Sequence, residues 1–73
     1  MKKPFDNNSI EIRIELAAYL LKLRLGLNLT QNQVAIESGL SQSAISRIEN
    51  GEKAASLFNL VRVYRVLSQW ESV

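Results

Sequence analysis

The sequence predicts a small all-α domain of four to five helices, and three observations carry that prediction. From Ser9 to Leu25 no glycine or proline interrupts a run rich in Leu, Ile, Ala, Glu and Arg. Between Thr30 and Gly51 two short helical patterns are separated by Gly39, with a hydroxyl residue, Thr30 and then Ser41, ahead of each. From Leu57 onward apolar residues return at helical spacing behind a third hydroxyl, Ser56.

Composition narrows the function classes. A chain of 73 residues is one domain near the lower end of what folds alone, because small chains bury a smaller fraction of their surface. Cysteine and histidine are both absent, which removes disulfide frameworks, thiolate metal sites and the commonest acid-base catalyst. Asp6 is the single aspartate, the glutamates are scattered, and there is no glycine-rich phosphate loop. An enzyme is therefore not expected, and neither is a metal or other cofactor. The net charge of +2 leans mildly toward a polyanionic partner. Met1-Lys2-Lys3-Pro4 is not followed by the apolar run of a signal peptide, and the stretch from Ala17 to Leu29 carries Lys22 and Arg24 and is too short for a bilayer. No membrane partner and a cytoplasmic location are the expectations. Asn7-Asn8-Ser9 and Asn28-Leu29-Thr30 match the glycosylation sequon, which carries little weight without a secretion signal.

Residues 1–8 read as a flexible N-terminal arm anchored by Phe5, and residues 9–73 as one domain. Ser9 or Asp6 caps the first helix. Ile10, Ile12, Ile14 and Leu16 alternate with Glu11, Arg13 and Glu15 as in a strand, but the helix formers that follow without a breaker favour one continuous helix to about Leu25. Its apolar residues exceed one face. Ile10, Ile14, Ala17 and Leu21 make one stripe, and Ile12, Leu16, Tyr19, Leu20 and Leu23 make another. A helix apolar on two sides is buried twice, and in so small a protein the second burial is expected at a subunit interface.

Gly26-Leu27-Asn28-Leu29 turns the chain into residues 31–50, which read as a helix-turn-helix. Thr30 and Ser41 cap the two helices by accepting hydrogen bonds from unpaired first-turn amides. Gly39 supplies the left-handed residue that ends the first helix, and the small Ala35 lets the two cross closely. Val34, Leu40, Ile45 and Ile48 form the apolar wedge between them. Asn50-Gly51 terminates the second helix, residues 52–55 form a loop, and Ser56 caps a last helix from Leu57 to about Leu67 or slightly beyond. Leu57, Leu60, Val61, Tyr64 and Leu67 are its expected core stripe, with Asn59, Arg62, Arg65 and Gln69 on the wet side. Val63, Val66 and Trp70 are left as a second stripe for self-association.

Leu29-Thr30-Gln31, the pair Ala35 and Gly39, Ser41-Gln42-Ser43 and Ser46-Arg47-Ile48-Glu49-Asn50-Gly51 stand in the order and spacing of the Cro and phage-repressor (XRE-type) helix-turn-helix family. The chain resembles that family from about Leu20 to Leu67. The resemblance implies a lambda-repressor-like domain that binds double-stranded DNA as a homodimer, with the second helix in the major groove and its N-terminal residues at base edges. Gln42, Ser43, Ser46 and Arg47, facing away from Ile45 and Ile48, are then the base-reading residues. An amide such as that of Gln42 suits adenine, a guanidinium such as that of Arg47 suits guanine, and the serines can bond to bases or phosphates. Thr30, Gln31, Asn32, Asn50 and Lys53 are expected on the DNA backbone, where contacts fix register. By the same resemblance Gln31 meets Gln42, and Arg24 and Glu49 form a structural ion pair joining the first helix to the reading helix. Lys2 and Lys3 become either part of a loose tail or a basic arm that wraps DNA.

Ile12, Tyr19, Val63, Val66 and Trp70 are the expected dimer or partner surface. The function implied is a nucleoid-associated repressor of an inverted-repeat operator. The alternative is an antitoxin that binds a cognate toxin through its exposed apolar faces and represses its own operon. A protein-only adaptor would need no array of amides, serines and arginine on the reading helix. Three positions depart from the family pattern: Ser38 is more often apolar, Ile36 usually polar, and Glu52 commonly basic. A fifth helix would have only residues 68–73 to form from.

Overall fold

The computed structural model describes residues 9–52 and 55–72. The arm expected at residues 1–8 and the backbone contact expected at Lys53 lie outside them. Among the described residues four helices follow in order: α1 (Ser9–Gly26), α2 (Gln31–Ser38), α3 (Gln42–Glu49) and α4 (Leu57–Glu71). There is no strand among the described residues. The alternating start of α1 is helical, as the uninterrupted helix formers behind it require.

Helix α2 packs on α3, and α1 and α4 close around that pair, touching each other, with α1 also on α3 and α4 on α2. The shared core is Leu20, Leu29, Val34, Ala35, Ile45, Ile48, Leu60, Val63 and Leu67, with Leu16, Leu23, Leu27, Leu40 and Ala55 packed against it. The α1–α2 turn takes its left-handed residue from Asn28 (φ 60°) and not from Gly26. Asparagine tolerates that region better than most side-chain-bearing residues.

Both long helices turn a different line to the core than the apolar stripes suggest. On α1 the buried residues are Ala17, Leu20 and Arg24, and Ile12, Ile14 and Tyr19 are exposed. On α4 the buried line is Leu60, Val63 and Leu67, while Leu57, Val61 and Tyr64 of the expected core stripe are exposed. The placement of Val63 in a dimer surface is therefore corrected: it is 2% exposed and belongs to the core. The physical reason is that α4 is covered by both α1 and α2, and Val63 packs with Leu60 and Leu67 in the core they share. Val66 is half-buried, and Trp70, 39% exposed, donates its indole N–H to Glu37 Oε2 at 3.0 Å, tying the end of α4 to α2. Among the described residues no fifth helix stands apart, since α4 continues to Glu71.

Candidate nucleic-acid interface

The interface is built by the capping of two short helices. At the N-terminus of α2 the Thr30 hydroxyl accepts from Gln33 N–H at 3.0 Å, and the Gln33 side chain accepts from Thr30 N–H at 2.7 Å. This reciprocal box satisfies two amides that helix geometry leaves unpaired. The Thr30-x-x-Gln33 spacing is its sequence signal, and Gln33 is a functional residue that the reading of caps by hydroxyls alone misses. At Gly39 (φ 72°) α2 ends in the left-handed conformation, and the Leu40 N–H returns to Ala35 O at 3.0 Å. Ser41 then caps α3, its hydroxyl accepting from Ala44 N–H at 3.0 Å.

Ser38 is buried where an apolar residue is the norm. Its hydroxyl donates to the Val34 carbonyl at 2.7 Å, with Ala35 O at 3.2 Å, so the polar group costs little inside the helix pair. Ile36, in contrast, is 71% exposed on α2.

Helix α3 buries Ile45 and Ile48 completely and turns Gln42, Ser43 and Arg47 to solvent, with Ser46 half-buried beside them. Of the residues expected on the DNA backbone, Thr30 and Asn32 are exposed at the start of α2, and Asn50 is exposed as the C-cap of α3. All of these lie at the α2 N-terminus or along α3. Arg47 also lines a cleft of about 150 Å³ with Ala44, Ile48, Ala55, Ser56 and Asn59, where α3 passes the start of α4.

The tilt of α3 is fixed from behind. Arg24 Nε donates to Glu49 Oε2 at 2.6 Å, one terminal nitrogen donates to Glu49 Oε1 at 3.0 Å, and the other to the Leu29 carbonyl at 2.7 Å. The two side chains are only 11% and 6% exposed. Gln31 joins them, its amide donating to Glu49 Oε1 at 2.9 Å. This differs from the expected meeting of Gln31 with Gln42: a carboxylate with a free lone pair within reach is a stronger acceptor than a neutral amide. Gln31 is therefore half-buried and partly committed inside the protein. No helix among the described residues is long and apolar enough to cross a membrane.

Comparison with known proteins agrees with this geometry. A family model described as helix-turn-helix matches residues 20–68, a span that holds all of α2 and α3 and the residues that brace them. A protein of Mycobacterium tuberculosis (strain ATCC 25618 / H37Rv) named "Putative antitoxin HigA2" is 36% identical over 64 residues, which cover 86% of this chain. The aligned part is 63% of that relative's length. No solved structure matches the chain significantly. With two capped helices packed on each other, a polar face on the second and a family match over most of its length, the chain belongs to the XRE-type helix-turn-helix family.

Proposed function

We propose that the protein is a sequence-specific transcriptional regulator that reads double-stranded DNA in the major groove, acting as a homodimeric repressor on an inverted repeat. The observation that supports this best is α3 itself. Its buried face is all apolar, and its opposite face offers Gln42, Ser43, Ser46 and Arg47 on a helix braced by a buried ion pair. Base edges are read by amide and guanidinium groups held on a rigid element, and phosphate contacts from the neighbouring helix start set the register. In a dimer the two reading helices would sit roughly 34 Å apart, one turn of duplex. The protein binds and does not catalyse in this reading.

Binding-site selection from random duplexes with the purified protein, followed by footprinting on the enriched sequence, tests it. The expected result is two inverted half-sites with a fixed spacing. Equal affinity for enriched and random DNA, driven by salt alone, would sink the sequence-specific reading.

A second reading is favoured by the name of the Mycobacterium relative: an antitoxin that pairs with a toxin and represses their shared operon. The exposed apolar residues Ile12 and Tyr19 of α1 and Leu57, Val61 and Tyr64 of α4 suit a protein partner, and the Tyr19 and Tyr64 rings lie 6.5 Å apart between the two helices. Co-expression with the adjacent gene product and recovery of a stoichiometric complex would favour it.

A further inference from the structure

Helix α1 carries more apolar surface than the core uses. About a quarter-turn around the helix from the buried line of Ala17, Leu20 and Arg24, it presents Ile14, Ala18, Leu21 and Leu25, spaced by four, three and four residues. That is the spacing at which one helix packs along another with knobs in holes. Ile14 and Leu25 are 53% and 57% exposed, Ala18 is exposed, and Leu21 is half-buried. Among the described residues Gly51 lies against Ile14, yet neither Ile14 nor Leu25 is covered to the depth of the core line.

The charges beside this seam indicate its occupant. Glu15 follows Ile14 and Lys22 follows Leu21, so both flank the seam on the same side, seven residues and about 10 Å apart. Both are exposed, and the only ion pair among the described residues is Arg24–Glu49. A helix acidic before its midpoint and basic after it is complementary to itself when reversed. Laid antiparallel on a second copy, with Ala18 facing the partner's Leu21, it brings Glu15 to Lys22 of the other chain and repeats the pair by symmetry.

We infer that the seam Ile14-Ala18-Leu21-Leu25 of α1 seats the same seam of a second copy in antiparallel orientation, with Glu15 and Lys22 setting the register. The inference deepens the homodimer reading above and rests on it. Helix α1 holds none of the proposed base-reading residues, so the seam does not use them. The seam is one helix wide, smaller than the roughly 800 Å² per partner of a standard interface, so the dimer is expected to be concentration-dependent in the micromolar range.

Sedimentation equilibrium of the full chain and of five variants tests it, with circular dichroism to verify that each folds. Ala18→Arg places a long charged side chain at the crossing point; because Ala18 is exposed in the monomer, the variant is expected to fold and to lose the dimer. Glu15→Lys and Lys22→Glu alone should each weaken dimerisation roughly tenfold, since two opposite-charge pairs become two like-charge pairs. The double variant should restore it, and so should mixing the two single variants, whose heterodimer regains both pairs. Val61→Glu, on the other apolar face, should leave the dimer intact.

A dimer that survives Ala18→Arg and is lost with Val61→Glu overturns this seam while leaving the homodimer reading standing. A chain that stays monomeric across the micromolar range overturns both and assigns the exposed apolar faces to a different protein. Charge reversals without rescue in the mixture overturn the antiparallel register.

Discussion

Glu49 is the residue through which α3 is tied to α1 and to the start of α2. It accepts from Arg24 twice and from Gln31 once, all in a setting nearly closed to water. Glu49→Ala is therefore expected to cost about 3 to 5 kcal/mol, because it strands the Arg24 guanidinium with a single carbonyl partner. Urea denaturation reads this directly. Replacing both partners by apolar residues, Arg24→Met with Glu49→Leu, should recover most of the loss, and the difference separates a stranded charge from a net attraction. Arg47→Ala belongs to the opposite face: it should leave the melting temperature nearly unchanged, relax preference at one base pair and cost about 1 to 3 kcal/mol of binding to the selected site. The partners of Glu49 were only partly legible in the sequence. Twenty-five residues separate it from Arg24, so the pair could be named only through the family resemblance. The roles of Gln31 and the Leu29 carbonyl depend on the path of the α1–α2 turn, which spacing does not encode.

Elements were legible where local chemistry sets them and ambiguous where packing does. The start and stop of α2 and the starts of α3 and α4 follow from Thr30, Gly39, Ser41 and Ser56, whose side chains or backbone freedom act within four residues. Helix α4 shows the limit. It has apolar residues on nearly every side, so two stripes about a quarter-turn apart compete, and only the positions of α1 and α2 select Leu60, Val63 and Leu67 over Leu57, Val61 and Tyr64. The helix junction yields a prediction of its own. An alanine at Gly39 would keep φ at 72° with a Cβ 2.8 Å from an Arg62 guanidinium nitrogen. The flexible Arg62 can move aside, so the conformational term dominates, and Gly39→Ala should destabilise by about 1 to 2 kcal/mol. Adding Arg62→Ala should not restore the loss, a result that thermal melts of the single and double variants would check.

At the scale of the whole molecule, the distribution of charge predicts how binding responds to salt. Of nine cations, Arg24 is buried in its ion pair, Arg13 donates to the Ala55 carbonyl, Lys22 lies on α1, and Arg62 and Arg65 lie on α4. Arg47 alone among the described cations sits on the proposed reading face, and Lys53, outside the described residues, is the other candidate within the domain. Neutral groups such as Thr30 and Asn32 can bond to phosphate without displacing a counterion. Two cations per chain make four in a dimer, so the slope of log K against log salt should be roughly −4, shallow for a DNA-binding protein. Fluorescence anisotropy titrations on the selected duplex across a salt series measure it. If Lys2 and Lys3 form a wrapping arm, the slope should be nearly twice as steep and should fall to the shallower value when both are replaced by alanine. The shallow slope would mean that affinity rests mainly on the amides and hydroxyls aimed by α2 and α3, and that random DNA competes weakly because it offers the same phosphates without the matching base edges.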